Sequence, residues 1–146
     1  APGSELGGIE WGTATDGERI YVAESNYDRL PYRLPDGRTI TSGSFAALDP
    51  ATGRILWQTA DPSGSFDLGA LSTANGVVYA PSMSGHMYAL DARTGRVLWD
   101  HLGPGSSNAG AAIVDGTVFW GNGYSHLPFP GFNPSTTFYA FSPRGR

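Results

Sequence analysis

The 146-residue sequence contains no cysteine, which excludes a disulfide and a thiolate metal site. Charged residues account for only 15% of the chain, and the net charge of −4 comes without a basic cluster. Nucleic-acid binding therefore lacks its usual electrostatic footprint. No apolar run approaches the roughly 18 residues that a membrane-spanning helix needs. The N-terminal stretch APGSELGG is not a signal peptide, so an exported form would need a signal outside this sequence.

Glycine, proline and aromatic residues are abundant instead. The chain has 21 Gly, 11 Pro, four Trp, seven Tyr and seven Phe. Glycine and proline favour turns, whereas aromatic side chains favour strands and supply apolar area for a core. This composition is typical of a β-rich, turn-rich protein rather than a helical one.

An eleven-residue phrase occurs twice in the sequence. ALDPATGRILW spans residues 47–57, and ALDARTGRVLW spans residues 89–99, 42 residues further on. Eight of the eleven positions are identical, and a ninth exchanges Ile55 for Val97. Because repeats of this period mark arrays of similar supersecondary units, each phrase is expected to be part of a longer unit.

The second copy contains four short apolar runs separated by turn signals. Asn75-Gly76 predicts a two-residue hairpin turn, because both residue types tolerate a positive φ. Ser84-Gly85 and Thr94-Gly95 predict the next two turns, and Asp91 is placed to accept backbone N–H bonds in the last of them. The predicted strands are 70–74, 77–82, 86–91 and 96–100.

The other two copies follow the same layout with insertions. The first copy has Asp16-Gly17 at its first turn and an insert at residues 25–42. The third copy has Asp115-Gly116 at its first turn and an insert at 123–137, and it ends in YAFSPRGR without a fourth strand. The predicted strands are 10–15, 19–24, 43–49 and 54–59 in the first copy, and 109–114, 117–122 and 137–142 in the third.

Four antiparallel strands in about 40–45 residues are the blade of a β-propeller. The predicted fold is therefore all-β: a propeller fragment of about three four-stranded blades, the last incomplete. We expect one partial domain over residues 1–146, with blade units near 9–59, 69–100 and 109–142. The Trp that follows each T-G-R turn should lie flat between blades. An ordinary β-meander or sandwich is the alternative.

Three blades cannot close a ring, because propellers have at least four. The chain would then be a fragment of a longer one, assemble with copies of itself, or form an open array with protected edges. We interpret it as the C-terminal part of a larger propeller. Blade faces lined by residues such as Trp57, Val78 and Tyr79 would be exposed, which predicts a homo-oligomer or a longer native chain.

The phrase A-x-D-x-x-T-G-R-x-x-W resembles the tryptophan-docking motif of pyrroloquinoline quinone (PQQ) propellers, the quinoprotein alcohol dehydrogenases and their relatives. LGGIEWGTATDGERIYVAESN and SFAALDPATGRILWQTADP look closest to the polyvinyl-alcohol-dehydrogenase-like branch. The resemblance implies an eight-bladed propeller with PQQ at its centre beside a calcium ion. It also implies oxidation of alcohols, in some cases polymeric ones, by a periplasmic or extracellular enzyme.

The same resemblance assigns three site residues. In the segment WGTATDGERIYVAESN, Trp11 matches the tryptophan on which the quinone stacks, and Asn26 matches an asparagine whose amide oxygen ligates calcium. The family has Gly-Thr-Gly before that asparagine, where this chain has residues 23–25 as Ala-Glu-Ser. Asp67 resembles the catalytic base, which takes the alcohol proton while hydride passes to the quinone and calcium polarises its carbonyl.

Each assignment has an alternative. Trp11 could be an inter-blade core residue, Asn26 a cap on its own turn, and Asp67 a solvated loop carboxylate. Asp61 competes with Asp67 as the base, and Glu10 is a further candidate metal ligand. The alternative function is a non-catalytic scaffold that binds proteins or polymers, since similar repeats occur in outer-membrane assembly lipoproteins. Because a quinone pocket draws on the whole ring, we expect no turnover from this chain alone.

Overall fold

The computed structural model describes residues 3–127 and 129–143, and the predicted all-β fold is confirmed there. The first blade is a four-stranded antiparallel sheet whose strands neighbour one another in the order β1-β2-β5-β6. A separate two-stranded hairpin, β3-β4, lies in the insert. The strands are β1 (Ala14–Thr15), β2 (Ile20–Glu24), β3 (Tyr32–Arg33), β4 (Thr39–Ile40), β5 (Ser44–Leu48) and β6 (Ile55–Ala60).

The second blade has four antiparallel strands, and the third has three within the described residues. In both, strands consecutive in sequence are neighbours in the sheet, as in a propeller blade. In the part of the chain described, no helix is both long enough and apolar enough to cross a bilayer. The strands are β7 (Ser72–Ala74), β8 (Val77–Pro81), β9 (His86–Asp91), β10 (Val97–Leu102), β11 (Ala112–Val114), β12 (Thr117–Gly121) and β13 (Phe138–Phe141).

The first strand of each blade is shorter than predicted. The backbone just before these strands bonds to the neighbouring blade instead of continuing its own sheet. The Leu71 amide donates to the Gly12 carbonyl at 3.2 Å, and the Ala70 amide donates to the Asn108 carbonyl at 3.3 Å. Periodicity cannot anticipate such cross-blade bonds, because they depend on how the sheets pack.

The turns follow local chemistry closely. Asn75-Gly76 has φ values of 51° and 75°, and Asp115-Gly116 has 49° and 76°, as the predicted two-residue hairpins require. Asp16-Gly17 belongs to a longer connection, because Thr15 pairs with Ile20. There the Asp16 carboxylate accepts bonds from the amides of Glu18 and Arg19 at 2.9 and 2.7 Å.

The repeated phrase builds the same turn in both copies. The Asp91 carboxylate accepts backbone N–H bonds from Arg93 and Thr94 at 3.0 and 2.8 Å, as predicted, and also the Thr94 hydroxyl. Asp49 accepts the corresponding amides in the first copy at 2.9 and 3.0 Å. Hydrogen bonds from the threonine lower the pKa of both carboxyls, because they stabilise the ionised form.

The main core lies between blades 1 and 2. Tyr21, Phe45 and Trp57 pack from blade 1 against a set of buried side chains from blade 2. Trp57 lies over the turn of blade 2, and its indole Nε1 donates to the Ala92 carbonyl at 3.0 Å. The blade 2 members of this core are Leu71, Val78, Ala80, Tyr88, Leu90 and Ala92.

The expectation that Trp57, Val78 and Tyr79 line exposed faces is wrong. Trp57 and Val78 are buried between blades 1 and 2, and Tyr79 packs against the core that blades 2 and 3 share. The exposed apolar side chains lie elsewhere: Phe138 of blade 3 is 68% exposed. Trp99, which repeats Trp57, stays 38% exposed beside a groove of about 390 Å³ next to the incomplete third blade.

Candidate functional site

The three predicted site residues lie in connections at the same end of the sheets. Trp11 precedes β1, Asn26 follows β2, and Asp67 lies in the connection after β6. Since neighbouring strands run antiparallel, the start of β1 and the ends of β2 and β6 share one end of blade 1. The two T-G-R turns lie at the opposite end.

Asp67 is fully buried, and neither of its carboxyl oxygens makes a hydrogen bond of normal geometry. The carboxyl lies beside that of Asp61 and the hydroxyl of Ser82. Burial, followed by the charge of Asp61, raises the pKa of Asp67 well above its ordinary value. The solvated-loop alternative is therefore wrong, because the packing that excludes water also holds this carboxyl next to a second one.

Glycine at position 43 makes room for the Asp67 carboxyl. A Cβ at Gly43 would lie 2.5 Å from Asp67 Oδ2 and 2.7 Å from the Glu24 carbonyl oxygen. The Gly43 amide also donates to the Ser65 carbonyl at 2.7 Å, which fixes the connection that carries Asp67. Any larger residue would push this connection away from the blade.

Asp61 holds its own turn with one oxygen and leaves the other unpaired. Its Oδ1 accepts the Ser63 and Ser65 amides at 2.6 and 3.3 Å, whereas the buried Oδ2 has no hydrogen-bond partner among the described residues. The Tyr88 ring lies nearby, and burial followed by the charge of Asp61 raises the pKa of its hydroxyl. Asp61 therefore stays the nearest alternative to Asp67 as a base.

Asn26 closes the insert of blade 1. Its side-chain Nδ2 donates to the carbonyls of Leu30, Thr41 and Ser42 at 2.9, 3.0 and 3.2 Å. The residue is buried with a φ of 45°, which asparagine tolerates better than most residues. Its Oδ1 is buried without a hydrogen-bond partner among the described residues. Asn26 thus caps the insert and still has one amide oxygen available.

Trp11 is 48% exposed and so is not an inter-blade core residue. Its ring lies perpendicular to that of Tyr124, from the insert of blade 3, with the two centroids 5.4 Å apart. Its φ is 62°, an uncommon value for a tryptophan, which turns the chain away from the regular strand. Tyr124 was missed in the sequence, where nothing marks its insert as a neighbour of Trp11.

The structure joins the segments that carry Asn26 and Asp67, whereas Trp11 contacts a different segment. The Asp67 amide donates to the carbonyl of Ser25, the residue before Asn26, at 3.3 Å. Trp11 instead contacts Glu10 and the insert of blade 3, and burial raises the pKa of the Glu10 carboxyl. The cofactor, metal and catalytic roles of these residues remain predictions.

The donor chemistry of Asn26 fits a calcium ion in part. A hard cation prefers neutral and anionic oxygens, and the unpaired Asn26 Oδ1 is one such donor. Calcium takes about six to eight oxygens. Within residues 3–127 and 129–143, no three His, Cys, Asp or Glu side chains come together as a metal site. Other donors would have to come from elsewhere in a ring.

Three blade-like antiparallel sheets define a partial β-propeller of PQQ-type repeats. A family model described as "Outer membrane protein assembly factor BamB" matches residues 3–138. The chain belongs to this family. No curated protein matches the sequence at a significant level.

Solved structures share the fold. A europium-containing methanol dehydrogenase matches 97% of this chain and 24% of its own, with a TM-score of 0.64 and 20% identity. BamB from Moraxella catarrhalis matches 78% of this chain and 30% of its own length, with a TM-score of 0.58 and 20% sequence identity. The quinohemoprotein alcohol dehydrogenase from Comamonas testosteroni matches 80% of this chain and 17% of its own length, with a TM-score of 0.59 and 22% sequence identity. This chain spans less than a third of each.

Proposed function

We propose that the chain is part of a PQQ- and calcium-dependent alcohol dehydrogenase of the polyvinyl-alcohol-dehydrogenase-like type. The observation that supports this most is the set of unpaired, buried oxygens of Asn26 and Asp67 at one end of the blades. A buried polar group costs about 1–3 kcal/mol when it lacks a partner, so a bound cation or substrate that pairs with these oxygens would offset that cost.

Trp11 is the proposed platform for the quinone. An indole face gains about 0.5–1.5 kcal/mol from ring stacking beyond the area it buries. The exposed Trp11 ring is held by a perpendicular contact with the Tyr124 ring. When bound, PQQ supplies a two-electron oxidant. The part of this chain is to orient that ring system and exclude water from one of its faces.

Asn26 is the proposed calcium ligand, through Oδ1, and Asp67 is the proposed base. A base near neutral pH needs a pKa well above that of a free aspartate, which burial of Asp67 supplies. Asp67 would take the hydroxyl proton of an alcohol. Because it is fully buried here, the alcohol reaches it only when the surrounding connection opens.

The remaining proposals concern the whole protein. We place it in the periplasm or outside the cell, with an alcohol as its substrate and a separate electron acceptor as its partner. This chain alone is expected to have no turnover, since it covers only 24% of the methanol dehydrogenase it matches.

The test is a titration of PQQ into the purified chain, with and without calcium, followed by tryptophan fluorescence. We expect saturable, calcium-dependent quenching that Trp11→Ala removes. Trp99→Ala is the matched control, because Trp99 is similarly exposed but lies against Phe141 of blade 3. Equal loss in both variants, or no binding to the folded chain or to a longer parent, would contradict the proposal.

A non-catalytic scaffold that binds proteins or polymers is the second candidate. It is favoured by the match to the assembly-factor family. A parent chain that binds neither PQQ nor calcium would support it.

A further inference from the structure

The insert of blade 3 packs on two connections of blade 1. Its residues 129–133 form a strap that carries two phenylalanines. The Phe132 ring lies 5.8 Å from the Phe66 ring, and the Phe129 ring lies 5.9 Å from the Tyr27 ring, centroid to centroid. Tyr27 belongs to the insert of blade 1, and Phe66 to the connection that follows β6. The strap therefore joins the first and third blades at one end of the sheets.

The strap packs directly on Phe66, the residue before Asp67. A Cβ at Gly131 would lie 2.8 Å from Phe66 Cε1, so the backbone of the strap is in close contact with this ring. Phe66 and the residue after Asp67 belong to one small buried core, against which Phe132 packs. The strap thus closes the core that holds Asp67 on both sides.

A buried serine anchors the strap to the connection between blades 2 and 3. The Ser106 hydroxyl lies 2.9 Å from the Gly131 carbonyl oxygen and accepts the Asn133 amide at 2.9 Å. The Ser106 amide donates to the Asn133 carbonyl, also at 2.9 Å. The same hydroxyl lies 2.8 Å from the Met83 carbonyl oxygen of blade 2. Because Ser106 is fully buried, these bonds define one seated position for the strap.

Met83 lies in the region that the strap covers. It is only 1% exposed, and its amide donates to the Phe66 carbonyl at 3.4 Å. Ser82, the residue before it, has its hydroxyl beside the Asp67 carboxyl. Met83 and Asp67 are therefore buried in adjoining places, and a change that uncovers one is expected to uncover the other.

A cleft of about 340 Å³ runs beside the strap. Tyr27 and Arg29 of blade 1 form one wall, and Pro130 and Gly131 of the strap form the other, with Phe66 between them. The Arg29 guanidinium lies over the Phe66 ring, 5.5 Å from its centroid. Because one wall is the strap itself, displacement of the strap would widen this cleft at Phe66.

We infer that the strap is a gate over Asp67: its seated position keeps water from this carboxyl, and its release opens the neighbouring cleft onto it. Residues 129–133 belong to no strand, and a segment held by a few contacts opens at a lower free energy than the strands of a sheet. As the entry route of an alcohol to a base, the gate rests on the proposed function. The exclusion of water from Asp67 does not depend on PQQ.

The two methionines of the chain are the reporters for a test. Met83 lies in the covered region, whereas Met87 is buried in the core that blades 2 and 3 share. Gly131→Ala forces a Cβ against the Phe66 ring at a φ of 91°. Gly17→Ala is the matched control, because Gly17 has a φ of 87° and its Cβ would meet nothing within 4 Å.

Oxidation by hydrogen peroxide, followed by peptide mass spectrometry, measures the exposure of each methionine. Met83 should react about tenfold faster in Gly131→Ala than in the unmodified chain, because the open strap becomes more populated. Gly17→Ala should keep the rate of the unmodified chain, and Met87 should stay protected in both variants. Carbodiimide labelling of Asp67 should rise together with the oxidation of Met83.

Phe132→Ala keeps the test decisive if Gly131→Ala unfolds, since it removes a ring of the strap without straining the backbone. Unchanged oxidation of Met83 in a folded strap variant would overturn the inference. A rise at Met83 without labelling of Asp67, or an equal rise at Met83 and Met87, would do the same. A chain that gives the expected labelling but binds no PQQ would support the gate and contradict only the proposed function.

Discussion

At the scale of single residues, Asp67 should make stability depend on pH. Its pKa is raised in the folded chain, so the protonated form is the one that folding favours. Its contribution is then fully present below the unfolded pKa, near 3.8, and is lost as the pH rises through the folded value. Asp67 thus weakens the fold at neutral pH.

Asp67→Asn removes this charge and should stabilise the chain by about 1–3 kcal/mol at about pH 8 and by much less at about pH 4. Urea unfolding followed by circular dichroism measures the difference. Asp36→Asn is the control, because that carboxyl is exposed and hydrogen bonds from Arg38 lower its pKa. Parallel stability curves for the native chain and Asp67→Asn would contradict the assignment.

At the scale of elements, the two T-G-R turns are nearly identical in backbone but not in surroundings. Gly53 and Gly95 have φ values of 70° and 72°. A Cβ at Gly53 meets nothing within 4 Å, whereas a Cβ at Gly95 would lie 2.4 Å from the Trp57 ring. The two glycines therefore separate the cost of backbone strain from the cost of moving the docked indole.

Gly53→Ala should cost about 1 kcal/mol, the strain of a positive φ in a non-glycine residue. Gly95→Ala should cost about 1–3 kcal/mol more, because the indole has to shift and its bond to Ala92 is strained. Equilibrium unfolding of both variants gives the difference directly. Equal costs would show that the Trp57 contact does not depend on the absence of a Cβ at Gly95.

Elements also show how far the sequence alone reaches. The hairpin turn at Asn75-Gly76 and the capped turn at Asp91 follow from local chemistry, and the structure contains both. The β3-β4 hairpin was missed, because a buried Leu34 and a bonded Tyr32 have no local signature in an insert rich in proline and charge. The surroundings of Asp67 were missed for a similar reason, since Gly43 and Ser82 approach it only in the folded chain.

At the scale of the whole molecule, the two ends of the array are unlike each other. The β3-β4 hairpin bonds to the outer face of blade 1 through Tyr32 and Ser44, whereas the outer face of blade 3 exposes apolar side chains. On that face, Phe119 and Phe138 stack with centroids 6.3 Å apart. Val114 beside them is 56% exposed. A symmetric contact between two such faces would bury these side chains in both copies at once.

The chain is therefore expected to form a dimer through blade 3. Burying the Phe138 ring supplies about 1.5–3 kcal/mol per copy, so Phe138→Ser should weaken the dimer at least tenfold in Kd. Sedimentation velocity over a range of concentrations measures this. Leu102→Ser is the matched control, because Leu102 is 60% exposed on β10 of blade 2 and lies off this face. A dimer that weakens equally in both variants, or masses that keep rising with concentration, would mean that a different surface joins the copies.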